Sequence, residues 1–391
     1  MYTSFSIFLT LLLASFTTNG LELSGKKIPE IYASSLTAAL SKAGDNAKEL
    51  RLTFGKIKDE EVSGLAFLIS HMPERDLTSL GSNYLAENIR YAYLARVTFP
   101  WSKEIKEKLF FNDVIPYASI NERRDQWRKD FFKRFSPLVK ECKTPGEAAQ
   151  ILNKEMWSMV GVSYHATKRP KPDQSPYESI KAKYASCSGL SILLINACRS
   201  VGIPARFAGT PMWSNKRGNH SWVEVWDGKS WQFTGACEYN PAGLGKAWFA
   251  GNAAKAIKDN PKHAIYASSW KKATTHFPLV WDFSIRYVNA INVTERYSGK
   301  KINRVFIDIL TRPGGKRVAA NVEVFHEGRK IAAGKTRDSN NDTNNIFSIK
   351  LSSTTEHQIR IATGENKVLV RKFYPSGKVD ERIELFIEKD D

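Results

Sequence analysis

At 391 residues, with 42% hydrophobic, 12% aromatic and 25% charged side chains, the chain has ample material for a packed core, which excludes a disordered or low-complexity class; at about 100–200 residues per domain its length suggests two or three units. Lys and Arg total 58 against 40 Asp and Glu, a net charge of +18 scattered over the whole chain, which fits a soluble basic surface and contact with anionic polymers, while no nucleic-acid motif accompanies it. Four cysteines without C-x-x-C spacing exclude a disulfide framework and argue against a zinc site, leaving open one disulfide among Cys142, Cys198 and Cys237.

The chain opens with MYTSFSIFLTLLLASFTTNGLE. The apolar run 7–16 is too short to span a bilayer, and Thr18 and Gly20 supply small residues for cleavage. Residues 1–20 therefore read as a secretory signal peptide, although no Lys or Arg precedes the run. The expected location is periplasmic or extracellular, and no later run is long enough for a membrane span.

Residues 21–135 are predicted to be helical. IPEIYASSLTAALSKAGDNAKELRLTF and DLTSLGSNYLAENIRYAYLARVTF carry apolar residues at helical spacing, with Asp76 and Ser79 as caps. NERRDQWRKDFFKRF, after the break at Pro116, reads as a charged amphipathic helix, and Tyr117, Trp127, Phe131 and Phe132 read as core. Residues 136–290 follow as the next unit. TPGEAAQILNKEMWSMVGVSYHA is a capped helix running into a short strand, and TKRPKPDQSPYES is a polar, proline-rich loop.

That loop leads to YASCSGLSILLINACRSVGIPARFAGT. Leu190, Leu193, Leu194 and Ala197 make one apolar helix face, widened by Ile192 and Ile195, and Gly202 ends the helix. Cys187 sits where this helix begins. The positive end of a helix dipole lowers a thiol pKa there, and the backbone N–H groups of the turn point at whatever the sulfur carries. Cys198, inside the same helix, reads as plain core.

NHSWVEVWDGKSWQFTGACEYNP is a predicted β-hairpin with Asp-Gly in its turn. Alternation puts His220, Trp222, Glu224 and Trp226 on one face and Ser221, Val223 and Val225 on the other. Pairing Asp227 with Ser230 sets His220 opposite Cys237, with Gly235 and Glu238 close by. His220 is the candidate general base. Glu238 is the candidate third group that fixes its tautomer. From Asn303 onward, RVFIDILT, ANVEVFHEGRKIAAGKT, NIFSIKL, HQIRIATG, NKVLVRKFYP and RIELFIEK read as short alternating strands, so residues 300–391 form a predicted all-β sandwich. DSNNDTNN lacks the glycine and glutamate of a calcium loop and reads as a turn.

The ordered set of a helix-capping cysteine, Gly-Ile-Pro-Ala-Arg, and a histidine on a tryptophan-flanked strand resembles the transglutaminase-like superfamily, over about residues 150–250. The resemblance implies an α+β fold: a helical N-terminal region, a papain- or transglutaminase-like core with a central helix on an antiparallel sheet, and a C-terminal sandwich similar to immunoglobulin-like or transthyretin-like modules. Peptide N-glycanases, microbial transglutaminase-like proteases and a set of exported bacterial proteins share this core. It assigns Cys187 as nucleophile and His220 as base. The family's aspartate falls on Gly235 when Trp231 is matched to its strand tryptophan, and Glu238 is read as the substitute. The implied chemistry is acyl transfer or hydrolysis of an amide through a thioester on Cys187, with no metal or organic cofactor. The substrate is then a peptide, protein or glycopeptide. Trp157 is a weak candidate for a second oxyanion donor. The alternative is an inactive module that binds peptide or glycan.

Overall fold

The computed structural model describes residues 20–216, 218–298, 303–339, 346–351, 354–363, 368–376 and 381–387. The signal-peptide reading of residues 1–20 and the turn reading of DSNNDTNN lie almost wholly outside them. The chain divides into two units, one ending at Tyr297 and one beginning at Ser298.

In the first unit the helical spacing of the early segments is realised as separate helices. Glu30–Lys42 and Ala47–Gly55 are divided at Gly44, whose φ of 55° interrupts a right-handed helix. Val62–Ser70 and Ser82–Thr98 follow, and Leu36, Leu50, Phe54, Leu65 and Ile89 interlock as their shared core. Asp76 and Ser79 are not caps of Ser82–Thr98, whose N-cap is Gly81 without a side-chain bond. The Asp76 carboxylate is buried instead, accepting from Tyr117 Oη at 2.8 Å and from Arg124 Nε at 2.9 Å.

The expected helix over NERRDQWRKDFFKRF is only half formed, as Arg128–Val139. Residues 121–127 are irregular, held by their own side chains. Glu122 accepts the backbone N–H of Ser119 and Ile120, and Asp125 accepts that of Tyr177. These local bonds outcompete helical ones. Two buried guanidinium groups then tie the segment 113–118 to the next layer. Arg128 donates to the carbonyls of Val114, Ile115, Pro116 and Arg199, and Arg199 to those of Asp113, Pro116, Ala118 and Ala205. Burial lowers the pKa of both, that of Arg199 to about 10.

The central helix is Cys187–Ser200, and every residue from Ser188 to Ser200 is buried. It lies between two layers. On one side Phe131, Phe135, Leu152 and Met156, from the helices Arg128–Val139 and Pro145–Val160, pack on it; on the other Phe207, Val223 and Val225 of the sheet do. Each such buried Leu, Ile or Phe contributes about 1.5–3 kcal/mol. The sheet runs, in spatial order, Trp231–Thr234, His220–Trp226, Ala205–Thr210, Tyr266–Ser268, Asn289–Asn292 and Thr275–His276, with every pair antiparallel. This is the α+β architecture of a central helix on an antiparallel sheet.

The second unit pairs a three-stranded sheet (Phe347–Leu351, Asn303–Leu310, Glu381–Phe386) with a four-stranded one (Arg329–Lys335, Asn321–His326, His357–Ala362, Val368–Phe373) among the described residues. Val305, Ile307 and Ile309 of one sheet and Val322, Val324, Ile359 and Ile361 of the other fill one core, which makes the unit a β-sandwich.

Candidate active site

Cys187 is the first residue of the central helix. The approach to it is tied to a neighbouring strand. Tyr184–Ala185 pairs in parallel with Ser163–Tyr164, and Ser186 takes the N-cap position with extended backbone but no side-chain bond to the turn. The first-turn N–H groups thus stay available to another acceptor. The preceding segment, expected to be all loop, holds a helix at Pro176–Ala182. Its signal was legible in SPYE: Ser175 Oγ accepts from Glu178 N at 3.3 Å, Glu178 Oε2 accepts from Ser175 N at 2.8 Å, and Pro176 opens the helix.

All four cysteines are unpaired, so the disulfide left open among Cys142, Cys198 and Cys237 is not formed. Cys142 and Cys198 are buried, which pushes their thiols up to about 11 and about 12. Cys187 and Cys237 are half-buried.

His220 begins the strand His220–Trp226, opposite Thr210. The alternation follows the sequence reading. Ser221, Val223 and Val225 face the central helix, and Ser188 Oγ lies 3.3 Å from Ser221 Oγ. Cys187 and His220 each stand one residue before this contact, so helix start and strand start lie at the same end of the sheet. No hydrogen bond joins their side chains among the described residues. The His220 ring turns to the other face, among Trp213, Trp222, Trp248 and Phe249 at centroid distances of 6.0, 5.8, 4.9 and 5.0 Å. It is 8% exposed, its Nε2 has no hydrogen-bond partner, and burial lowers its pKa to about 4. At neutral pH the imidazole is uncharged and able to accept a proton.

Below the histidine, Glu224 anchors the strand. It accepts from Arg206 Nε at 2.7 Å, Arg296 Nη1 at 3.0 Å and Tyr297 Oη at 2.9 Å, and Tyr297 in turn accepts from Trp222 Nε1 at 2.8 Å.

The hairpin register agrees with the sequence reading, with Trp226 opposite Trp231 and Val223 opposite Thr234, but the ladder stops at Thr234. His220 and Cys237 are therefore not a ladder pair. The chain turns instead, with Glu238 N bonded to Gly235 O at 3.3 Å and Cys237 at φ 64°. Gly235 is the first residue past the last ladder pair. The Glu238 side chain folds back onto it. A Cβ on Gly235 would lie 1.9 Å from Glu238 Oε2 and 2.7 Å from its Cδ. The carboxylate of residue 238 thus fills the space a side chain at 235 would take. Its partner is Trp248, whose Nε1 donates to Oε2 at 3.0 Å; burial raises the Glu238 carboxyl and this bond opposes the rise.

Two residues at the site escaped the sequence reading. Asn153, buried on the inner face of Pro145–Val160, clamps the turn. Its Nδ2 donates to Thr234 Oγ1 at 3.0 Å and Gly235 O at 2.8 Å, and its Oδ1 accepts from Cys237 N at 3.0 Å. An asparagine within the apolar stripe of a helix was the available signal. Trp248 lies in GLGKAWFAG, a glycine-rich stretch without periodicity that signalled nothing. Trp157, considered as an oxyanion donor, is committed elsewhere: its Nε1 donates to Asn153 O at 2.9 Å and Oδ1 at 3.2 Å. Among the described residues no His, Cys, Asp and Glu cluster is arranged to hold a metal, and no helix is long and apolar enough to cross a membrane.

Residues 134–236 match the model of the transglutaminase-like superfamily. This segment is a transglutaminase-like core. The match contains Cys187, His220 and Gly235 and ends just before Glu238. Among curated proteins none matches the chain. A solved structure of a candidate cysteine protease from Cytophaga hutchinsonii is 18% identical, over 38% of this chain and 48% of that one, with a TM-score of 0.28. The chain spans about half the length of that protein, and so slight a likeness carries no argument about the transglutaminase-like core.

Proposed function

We propose that the protein is a cysteine enzyme that cleaves or transfers an amide acyl group through a thioester on Cys187. The observation that carries this reading is the start of the central helix: a half-buried thiol on an uncapped first turn, at the sheet end where His220 begins its strand, within a segment that matches the transglutaminase-like superfamily. His220 takes the thiol proton as the sulfur attacks the amide carbonyl carbon. The first-turn N–H groups bind the developing oxyanion. The carbon–nitrogen bond breaks and His220 gives its proton to the leaving amine. Water then attacks the thioester, passes its proton to His220, and releases a carboxylic acid as the sulfur leaves and is reprotonated. An amine in place of water yields the transfer product.

Glu238 is the third group in this reading, its carboxylate standing in for one from position 235. Substrates are peptides, proteins or glycopeptides, and the basic surface suits anionic ones. Export, with cleavage after the apolar run 7–16, belongs to the same reading. A second reading, a non-catalytic binding module, draws on the caged His220 ring and its unpartnered Nε2. The test is intact-mass detection of an acyl adduct after incubation with a mixed library of peptide amides quenched in acid. An adduct on Cys187, lost in Cys187→Ala, is expected; an unmodified thiol with every amide favours the binding module.

A further inference from the structure

The arrangement of Glu238, Trp248 and His220 leaves one donor and one acceptor mismatched. The Glu238 carboxylate bonds the indole of Trp248, while the buried His220 Nε2 has no partner. Trp248 touches both: its ring centroid is 4.9 Å from that of His220, and its Nε1 is 3.0 Å from Glu238 Oε2. It is also 63% exposed, unusual for the largest apolar side chain, so burial does not hold it there. The loop that brings it passes through Gly243 and Gly245, at φ 99° and 77°, backbone states that only glycine adopts readily.

We propose that Trp248 is a positioning residue that acts through Glu238: in the free protein its indole N–H holds the carboxylate away from the imidazole, and a substrate group stacking against the exposed ring displaces the indole and passes Glu238 to His220. The inference rests on His220 being the base. It gives the cage two states. With Trp248 in place the imidazole is neutral and its Nε2 has no hydrogen-bond partner. With Trp248 displaced, a carboxylate fixes its tautomer and stabilises the imidazolium that forms when the thiol proton arrives. The groups facing His220 leave Glu238 as the carboxylate able to do this. Trp213, Trp222 and Phe249 are uncharged, Thr210 across the strand bonds Met212 O, and Glu224 on the same face is locked by Arg206 and Arg296. Cys187, Cys237 and His263, whose ring bonds Met212 O beside Thr210, are further titratable groups near this end of the sheet.

The experiment follows the His220 ring carbon signal by NMR in protein with labelled histidine, from pH 3 to 8, and requires no substrate. Trp248→Phe keeps a ring in the cage and removes the N–H, freeing Glu238. The expected result is a His220 midpoint raised by about one unit or more, and its return to the wild-type value in Trp248→Phe/Glu238→Gln. An unshifted midpoint in Trp248→Phe overturns the proposal, and so does a shift that survives in the double variant, because it then comes from hydration alone. Trp248→Leu repeats the comparison should the phenylalanine variant fold poorly. A shift with an unreactive Cys187 would retain the latch and end the enzymatic reading; a reactive Cys187 with no shift would do the reverse.

Discussion

Gly235→Ala isolates the fold-back of Glu238. Gly235 is not at positive φ, so a methyl group costs the backbone nothing and acts through sterics alone. It would sit 1.9 Å from Glu238 Oε2, 2.7 Å from Cδ and 3.1 Å from Cβ, which expels the carboxylate and breaks its bond to Trp248. A hydrogen bond to a charged group contributes about 1.5–3 kcal/mol, reduced here to about 1–2 kcal/mol because both partners are reached by solvent. Restricting the unfolded chain returns about 0.4–1 kcal/mol. Gly235→Ala is therefore expected to destabilise by about 0.5–1 kcal/mol in the wild-type background and to stabilise by about 0.5 kcal/mol in Glu238→Ala, a coupling of about 1–2 kcal/mol. Urea unfolding followed by tryptophan fluorescence measures it, and since all ten tryptophans precede residue 298 the signal reports on the first unit alone. Additive effects, with coupling below about 0.3 kcal/mol, would refute the fold-back.

His220 makes stability pH-dependent. Its pKa of about 4 in the folded protein lies below the 6.5 of an ordinary histidine, so the unfolded chain takes up the proton first. The stabilisation is whole above pH 6.5 and is lost as the pH falls towards 4, about 3 kcal/mol in all. His71, lowered to about 4 by burial and by Lys272 and Lys271, titrates in the same window, so His220→Gln should remove roughly half of the acid-side slope seen in urea titrations. Asn153→Ala removes the three side-chain bonds that tie the 234–237 turn to the helix Pro145–Val160 and is expected to cost about 2–4 kcal/mol by the same assay; a loss below about 0.5 kcal/mol would mean the turn stands without them. Under native conditions iodoacetamide should label Cys187 and Cys237 and spare Cys142 and Cys198, as read by peptide mass; early labelling of Cys198 would contradict a buried central helix.

Strong periodicity made the central helix and the Cys187–His220 order legible. Twelve of the fourteen residues between Cys187 and Gly202 are apolar or small and have no stable place but a core, and Asp-Gly fixes the hairpin register. What escaped was set by side chains bonding to backbone. Glu122 and Asp125 hold residues 121–127 out of the helix their pattern suggests, and Asp76 binds Arg124 and Tyr117 in place of capping. The return strand was read to Cys237, but Asn153, far away in sequence, draws the chain into a turn at Gly235. Trp248 joins the site through one indole bond and ring contacts, neither of which leaves a periodic trace.

The central claim is that the thiol of Cys187 works with the ring of His220. Its most direct test is the rate of iodoacetamide capture at Cys187 from pH 5 to 9, in wild type and in His220→Ala, with Cys237 as the internal comparator. The account predicts that at pH 6 Cys187 is captured well ahead of Cys237 and that His220→Ala slows it by about tenfold or more while leaving Cys237 unchanged. Equal rates for the two thiols, or a Cys187 indifferent to loss of the imidazole, would contradict it.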